Sequence, residues 1–179
     1  MPQVSVVSCN SYHADEVRNA LIKVLEPLGG LSWVRPGMKI AIKANLVSMM
    51  KPEAAATTHP ALLCELVQLL CKRGAVPIIG DSPGGLYNAA VLNRIYSVTG
   101  MKQAEAVGAY LNQNFSTREV TFPDAMVAHD FMYTAYLDEC DAIIDFCKLK
   151  THGMMGMSAA VKNMFGVVPG TFKPEYHFR

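Results

Sequence analysis

The sequence predicts a three-layer α/β domain built on a mostly parallel, Rossmann-like sheet, and three observations carry that prediction. Residues 39–47 read as a strand, 57–74 as an apolar-faced helix and 75–81 as a second strand, the order of a βαβ unit that pairs its strands in parallel. Polar side chains gather where the apolar runs stop, as they do beyond the carboxyl ends of strands in open α/β sheets. At 179 residues, with 51% hydrophobic and 17% charged residues, the chain has apolar surface enough to fill the core of one domain spanning 1–179.

Taken in order, residues 3–9 carry Val4, Val6 and Val7 among small polar residues and predict a first strand. Asp15 opens a helix whose Val17, Leu21, Val24, Leu25 and Leu28 follow the 3.6-residue period until Gly29-Gly30 ends it. In the strand at 39–47, Ile40 and Ile42 alternate with Lys39 and Lys43. Residues 48–58 lose all periodicity and predict a loop. Thr57-Thr58-His59-Pro60 then starts a helix, with a threonine as N-cap, proline in the first turn and a leucine-rich face closed by Lys72-Arg73-Gly74. After the strand at 75–81 comes the polar turn Asp81-Ser82-Pro83-Gly84-Gly85, then two weaker helices at 88–98 and 101–111. Residues 119–122 predict a short strand, 131–140 favour no element, and 141–146 predict the next strand. That strand ends in Lys148, Lys150 and His152, followed by glycines and a helical pattern reaching Gly166.

Composition narrows the function. A net charge of +1 gives no general attraction to nucleic acid or to an anionic membrane, so electrostatic recognition must be local. No apolar run approaches the roughly 20 residues of a spanning helix, and the N-terminus lacks a basic start and a cleavage site, which predicts a cytoplasmic protein. Five scattered cysteines without a C-x-x-C pair argue against a disulfide framework and against an iron–sulfur cluster held by this chain.

The chemistry is expected at the strand ends. Lys43, Asn45, Lys148 and Lys150 are candidates for holding an anion or a cofactor, because point cations beside glycine-rich turns suit phosphate or carboxylate. Lys162 stands in the small-residue run Ser158-Ala159-Ala160-Val161, an unusual setting for an idle lysine, with Asn163 beside it. His152 is an acid/base candidate, and His177 a metal ligand or a second acid/base group. Asp81, at a strand end, suits a metal, a hydroxyl or an Asx-turn. The G-x-G-x-x-G and Walker spacings are absent, so a standard nucleotide-phosphate loop is not expected; the cofactor is left open, with a metal or a nucleotide-like group among the candidates.

Lys43-Ala44-Asn45-Leu46-Val47, Thr58-His59-Pro60, Gly80-Asp81-Ser82-Pro83-Gly84, Lys148-Leu149-Lys150-Thr151-His152 and Lys162-Asn163-Met164-Phe165-Gly166 together resemble domain-of-unknown-function family 362. The resemblance spans residues 4–177. It implies that the chain is the N-terminal portion of a longer family domain, and that a ferredoxin-like domain with two four-iron clusters is a partner in many members. A weaker similarity joins the chain to nickel-pincer lactate racemases: His152, then Lys162 ten residues on, then His177. There it implies a lysine that tethers the cofactor and a histidine that binds nickel, while Ala159-Ala160 and Asn163 depart from that pattern. Whether the protein is an enzyme is left open. The readings are an α/β protein that binds a small-molecule anion or cofactor as a catalyst, a non-catalytic electron-transfer or assembly module, or a racemase- or epimerase-like metal-cofactor enzyme. A homo-oligomer formed through an open sheet edge is a further expectation.

Overall fold

The computed structural model describes residues 3–177; the sequence reading of Met1-Pro2 at the N-terminus and of Phe178-Arg179 at the end lies outside the described residues. Four strands form the central sheet: β1 (Lys39–Ala44), β2 (Val76–Gly80), β3 (Tyr110–Leu111) and β6 (Ala142–Phe146). They lie in the order β3-β2-β1-β6, every pair parallel. Helices α1 (Ala14–Leu25), α2 (Pro60–Cys71) and α3 (Ala89–Val98) supply apolar residues to the core. Two hairpins stand apart from the sheet: β4 (Thr117–Thr121) with β5 (Asp130–Thr134), and β7 (Lys150–His152) with β8 (Gly156–Ser158). The chain then runs through α4 (Ala160–Met164) and short 3-10 turns into α5 (Lys173–His177).

The period of two along β1 decides what faces where. Ile40, Ile42 and Ala44 point into the core shared with Val17, Leu21, Leu63, Leu66 and Leu70, and all of the β1 residues in that set are fully buried. Lys43 must then point to the opposite face. Its register partners there are Gly80 on β2 and Asp145 on β6, and α4 packs over that face against β1 and β6. At Gly80 a Cβ would stand 2.5 Å from Cζ of the buried Tyr136, so glycine lets this ring lie against the sheet. The result is three layers with one polar residue of β1 sealed in the smaller one.

Several local expectations change. Residues 3–9 form no strand, and Val4 and Val6 are 86% and 88% exposed; β-propensity is expressed only against a cross-strand partner, which this segment lacks. The helix expected at 101–111 is a 3-10 helix, Met101–Val107, stopped by Gly108 at φ 106°, after which β3 adds to the sheet. The N-cap of α2 is His59, whose Nδ1 accepts from the Ala61 amide at 3.2 Å. The cap is therefore neither threonine, and Thr58 is engaged elsewhere: its hydroxyl accepts from the Asn45 amide and donates to the Phe146 carbonyl, tying the end of β1 to the end of β6. The stretch at 150–158 is a hairpin leading into a five-residue helix, not a loop opening a long one.

Candidate functional site

Beyond the carboxyl ends of β1, β2 and β6 lies a cavity of about 270 Å³. Its wall includes Asn45, Asp81, Lys150, His152, Lys162, Asn163 and His177, which the sequence singles out, and also Ser82, Phe165 and Lys173. Strand geometry explains Asn45 and Asp81, which follow the ends of β1 and β2; Lys150 and His152 lie on β7 and Lys162 and Asn163 on α4, in the segment that follows β6.

Beneath the cavity is a buried polar network. Lys43, fully buried, puts its Nζ 2.5 Å from Asp81 Oδ1, with side-chain exposures of 0% and 6%. The other Asp81 oxygen accepts from the Leu46 amide at 2.8 Å, and Lys43 also donates to the Ala44 carbonyl. Asn163 joins this pair to β6: its Nδ2 donates to the Lys43 carbonyl at 3.0 Å and to Asp145 Oδ1 at 2.5 Å. Burial pushes the Asp145 carboxyl above the usual range, against the pull of Asn163 and Lys43. Lys43 therefore acts on the cavity through Asp81 and Asn163 and does not line it. Lys148 does not line it either; it lies beside His59, whose pKa is lowered first by burial and then by that ammonium.

Three ammonium groups do reach the cavity. Lys150 is held by Asn45 Oδ1 at 2.8 Å and the Ala56 carbonyl at 2.5 Å. Lys173 donates to the carbonyls of Ser82, at 2.6 Å, and Val168, and burial brings its pKa down to about 8. Lys162 lies over the Phe165 ring, 4.5 Å from its centroid, with Nζ 3.5 Å from His177 Nε2. Burial is the main cause that lowers the pKa of Lys162, and Lys43 adds to it. Among the described residues no ion pair joins any of these three lysines to a carboxylate, so their charge is available to a ligand.

The two histidines are held in opposite senses. His152 Nδ1 accepts from the amides of Met154 and Met155 at 3.2 and 3.1 Å, which leaves the proton of the neutral ring on Nε2. His177 Nδ1 lies 2.8 Å from the Lys173 carbonyl and can only donate to it, which leaves Nε2 bare and facing Lys162. The pKa of His152 is lowered by burial first, then by Lys162, His177 and Lys150, so its neutral form prevails at neutral pH. No group of three or more His, Cys, Asp or Glu residues among the described ones is placed to hold a metal ion.

Lys173 escaped the sequence reading. It reaches Ser82 across 91 positions of chain through the 3-10 turns at 165–172, and nothing local marks a lysine ahead of Pro174 as a site residue. Val47 gives a second late signal: it lines the cavity with φ +50°, a conformation that costs a β-branched residue about 1–2 kcal/mol. The residue is 38% exposed, so little packing is lost when its side chain is removed. Val47→Gly is expected to leave unfolding stability unchanged or raise it by up to about 1 kcal/mol in urea titrations. A loss larger than that would show that contacts, not backbone strain, dominate there.

The fold and the strand-end cavity define an open parallel α/β protein with a cationic site at its sheet edge. The sequence profile described as Domain of unknown function (DUF362) matches residues 40–179, and the chain belongs to that family. It is similar to the Thylakoid-associated protein sll1697 of Synechocystis sp., with 30% identity over 176 residues that cover 97% of this chain and 53% of that protein. The chain thus spans about half the length of that curated relative. No solved structure gives a significant match. No helix among the described residues is long and apolar enough to cross a membrane.

Proposed function

We propose that the strand-end cavity binds a small anionic molecule, or the anionic end of a cofactor, and that the protein is a catalyst acting on it. The observation that carries this reading is the convergence of Lys150, Lys162 and Lys173 on one cavity with no carboxylate paired to any of them among the described residues. Lys150 and Lys173 are held by neutral oxygen acceptors and Lys162 by the Phe165 ring and His177, none of which neutralises an ammonium, so the charge remains for an incoming oxyanion. In this reading Lys162 anchors the anion and His152, protonated on Nε2, donates a hydrogen bond or a proton to an oxygen that gains charge, a contribution typically of about 10²–10⁴ in rate. Asp81 and Asn163 hold the floor of the cavity, and Asn45 aims Lys150. In the same reading the protein is cytoplasmic, in keeping with its five free cysteines; association with thylakoids, which the relative's name states of that protein, is the competing location, and cell fractionation separates the two.

Calorimetric titration with phosphate and with oxalate tests the site. Lys162→Ala is expected to weaken whichever anion binds by at least about tenfold, the loss of one charge-assisted hydrogen bond. Its unfolding free energy should change by less than about 1 kcal/mol. Unchanged affinity, or a large loss of stability without one of affinity, would make Lys162 a structural lysine and overturn the assignment.

A further inference from the structure

We infer that Lys162 is a nucleophile toward carbonyl carbon, with His177 as its base, and that the anion taken by the site is a 2-oxo acid. The inference rests on the anion-site reading above and adds to it the class of ligand and the bond it makes. Three observations carry it. Lys162 Nζ faces the bare Nε2 of His177 at 3.5 Å, and the Lys173 carbonyl at 2.8 Å from Nδ1 fixes that tautomer. An acceptor oriented by a third group beside a nucleophile is the arrangement that activates one, and such contacts are often long when no ligand is bound. Phe165 makes the second link: Lys162 lies over its face and His177 meets it edge-on, ring centroids 4.5 Å apart at 68°, so all three side chains are held in one cluster. The third is access: Lys162 and His177 both line the cavity, beside Lys150, Lys173 and His152, where a ligand can reach the amine.

The size and charge of the cavity choose the ligand. Its volume, about 270 Å³, equals about nine waters at roughly 30 Å³ each, which suits a molecule of a few carbons. Lys150 and Lys173 sit in the same wall and would hold a carboxylate directly bonded to the reacting carbonyl. His152 offers its Nε2 proton to the carbonyl oxygen.

The step balances without an oxidant or reductant. His177 takes one proton from the Lys162 ammonium. The amine lone pair then forms the C–N bond while the C=O π pair moves onto oxygen, and the nitrogen passes a second proton to that oxygen. His177 returns its proton to the resulting hydroxyl, which leaves as water as the C=N bond closes. One ammonium and one ketone thus give one iminium and one water.

The test incubates the protein with pyruvate and sodium cyanoborohydride and locates adducts by intact mass and peptide mapping. The expected result is one adduct per chain, on Lys162, formed at least about tenfold faster than on the exposed Lys72 of the same molecule. That internal comparison needs no variant. His177→Gln should slow the Lys162 adduct by about tenfold or more at an unchanged melting profile, and Lys162→Arg should abolish it. Labelling of Lys72 at an equal rate, an adduct on Lys173 instead, or indifference to His177→Gln would overturn the inference. Parallel calorimetry with lactate, which has no carbonyl to attack, separates the two levels. Binding of lactate and pyruvate without an adduct sinks the imine and leaves the anion site standing, whereas binding of neither sinks both.

Discussion

Lys43→Met is expected to destabilise the protein by about 3–5 kcal/mol, the usual cost of removing one member of a buried ion pair. Methionine matches the length of the lysine stem, so the loss comes from charge and not from a cavity. Without the ammonium at 2.5 Å, Asp81 would keep only the Leu46 amide while its side chain stays 6% exposed. A buried carboxylate in that position must either protonate or admit water. Adding Asp81→Asn to Lys43→Met should therefore recover much of the loss, because the double variant buries no unpaired charge at this position. Urea unfolding at neutral pH with an unchanged m-value measures both effects. A single-variant loss below about 1 kcal/mol would mean that the pair is solvated in solution and is not part of the core. A buried pair is a costly way to gain stability compared with apolar packing, and its place directly under the cavity supports the reading that it serves the site.

Much of the fold was legible because its elements carry their own signals. Helix α2 has a proline in its first turn, a continuous leucine face and a glycine stop, and β2 follows it as one apolar run. Elements that depend on distant partners were hidden. The two residues of β3 are a strand only because Ile78 and Ile79 lie beside them, and the valines of residues 3–9 fail to be one for want of such a neighbour. The hairpin β7–β8 turns through Gly153-Met154-Met155, which in sequence looks like any glycine-rich loop. The same division holds at the site. Asn45, Asp81, Lys150, His152, Lys162 and Asn163 meet around the cavity because strand ends in a parallel sheet converge on one edge. Lys43 could not be separated from Lys39 by alternation alone, since both share one face of β1; only α4 and the turn after it distinguish the sealed lysine from the exposed one. Lys173 depends wholly on long-range contact and left no trace.

Gly166→Ala carries the second large effect, because this glycine is where the turn after α4 crosses the Lys43–Asp81 pair. A Cβ there would collide with Asp81 Oδ1, Lys43 Nζ and Lys43 Cε. Its carbonyl meanwhile accepts from the Ser82 amide at 3.0 Å, so the backbone cannot lift away without losing that bond. The neighbours are not the free ends of flexible side chains: both are fixed by an ion pair and by bonds to the ends of β1. Relief must then break the pair or displace the turn. Overpacking of a tight core site costs about 1–3 kcal/mol by itself, and disruption of a buried pair adds to it, so a total loss of about 3 kcal/mol or more is expected. Anion affinity should fall as well, since Phe165 and Gly166 both belong to the cavity wall. Gly84 is the matched control: it lines the same cavity, a Cβ added to it would meet nothing within 4 Å, and its φ is not positive. Gly84→Ala should stay within about 0.5 kcal/mol of the parent protein. Equal behaviour of the two alanine variants in urea unfolding would contradict the close approach at Gly166, and with it the description of the Lys43–Asp81 pair as sealed beneath the site.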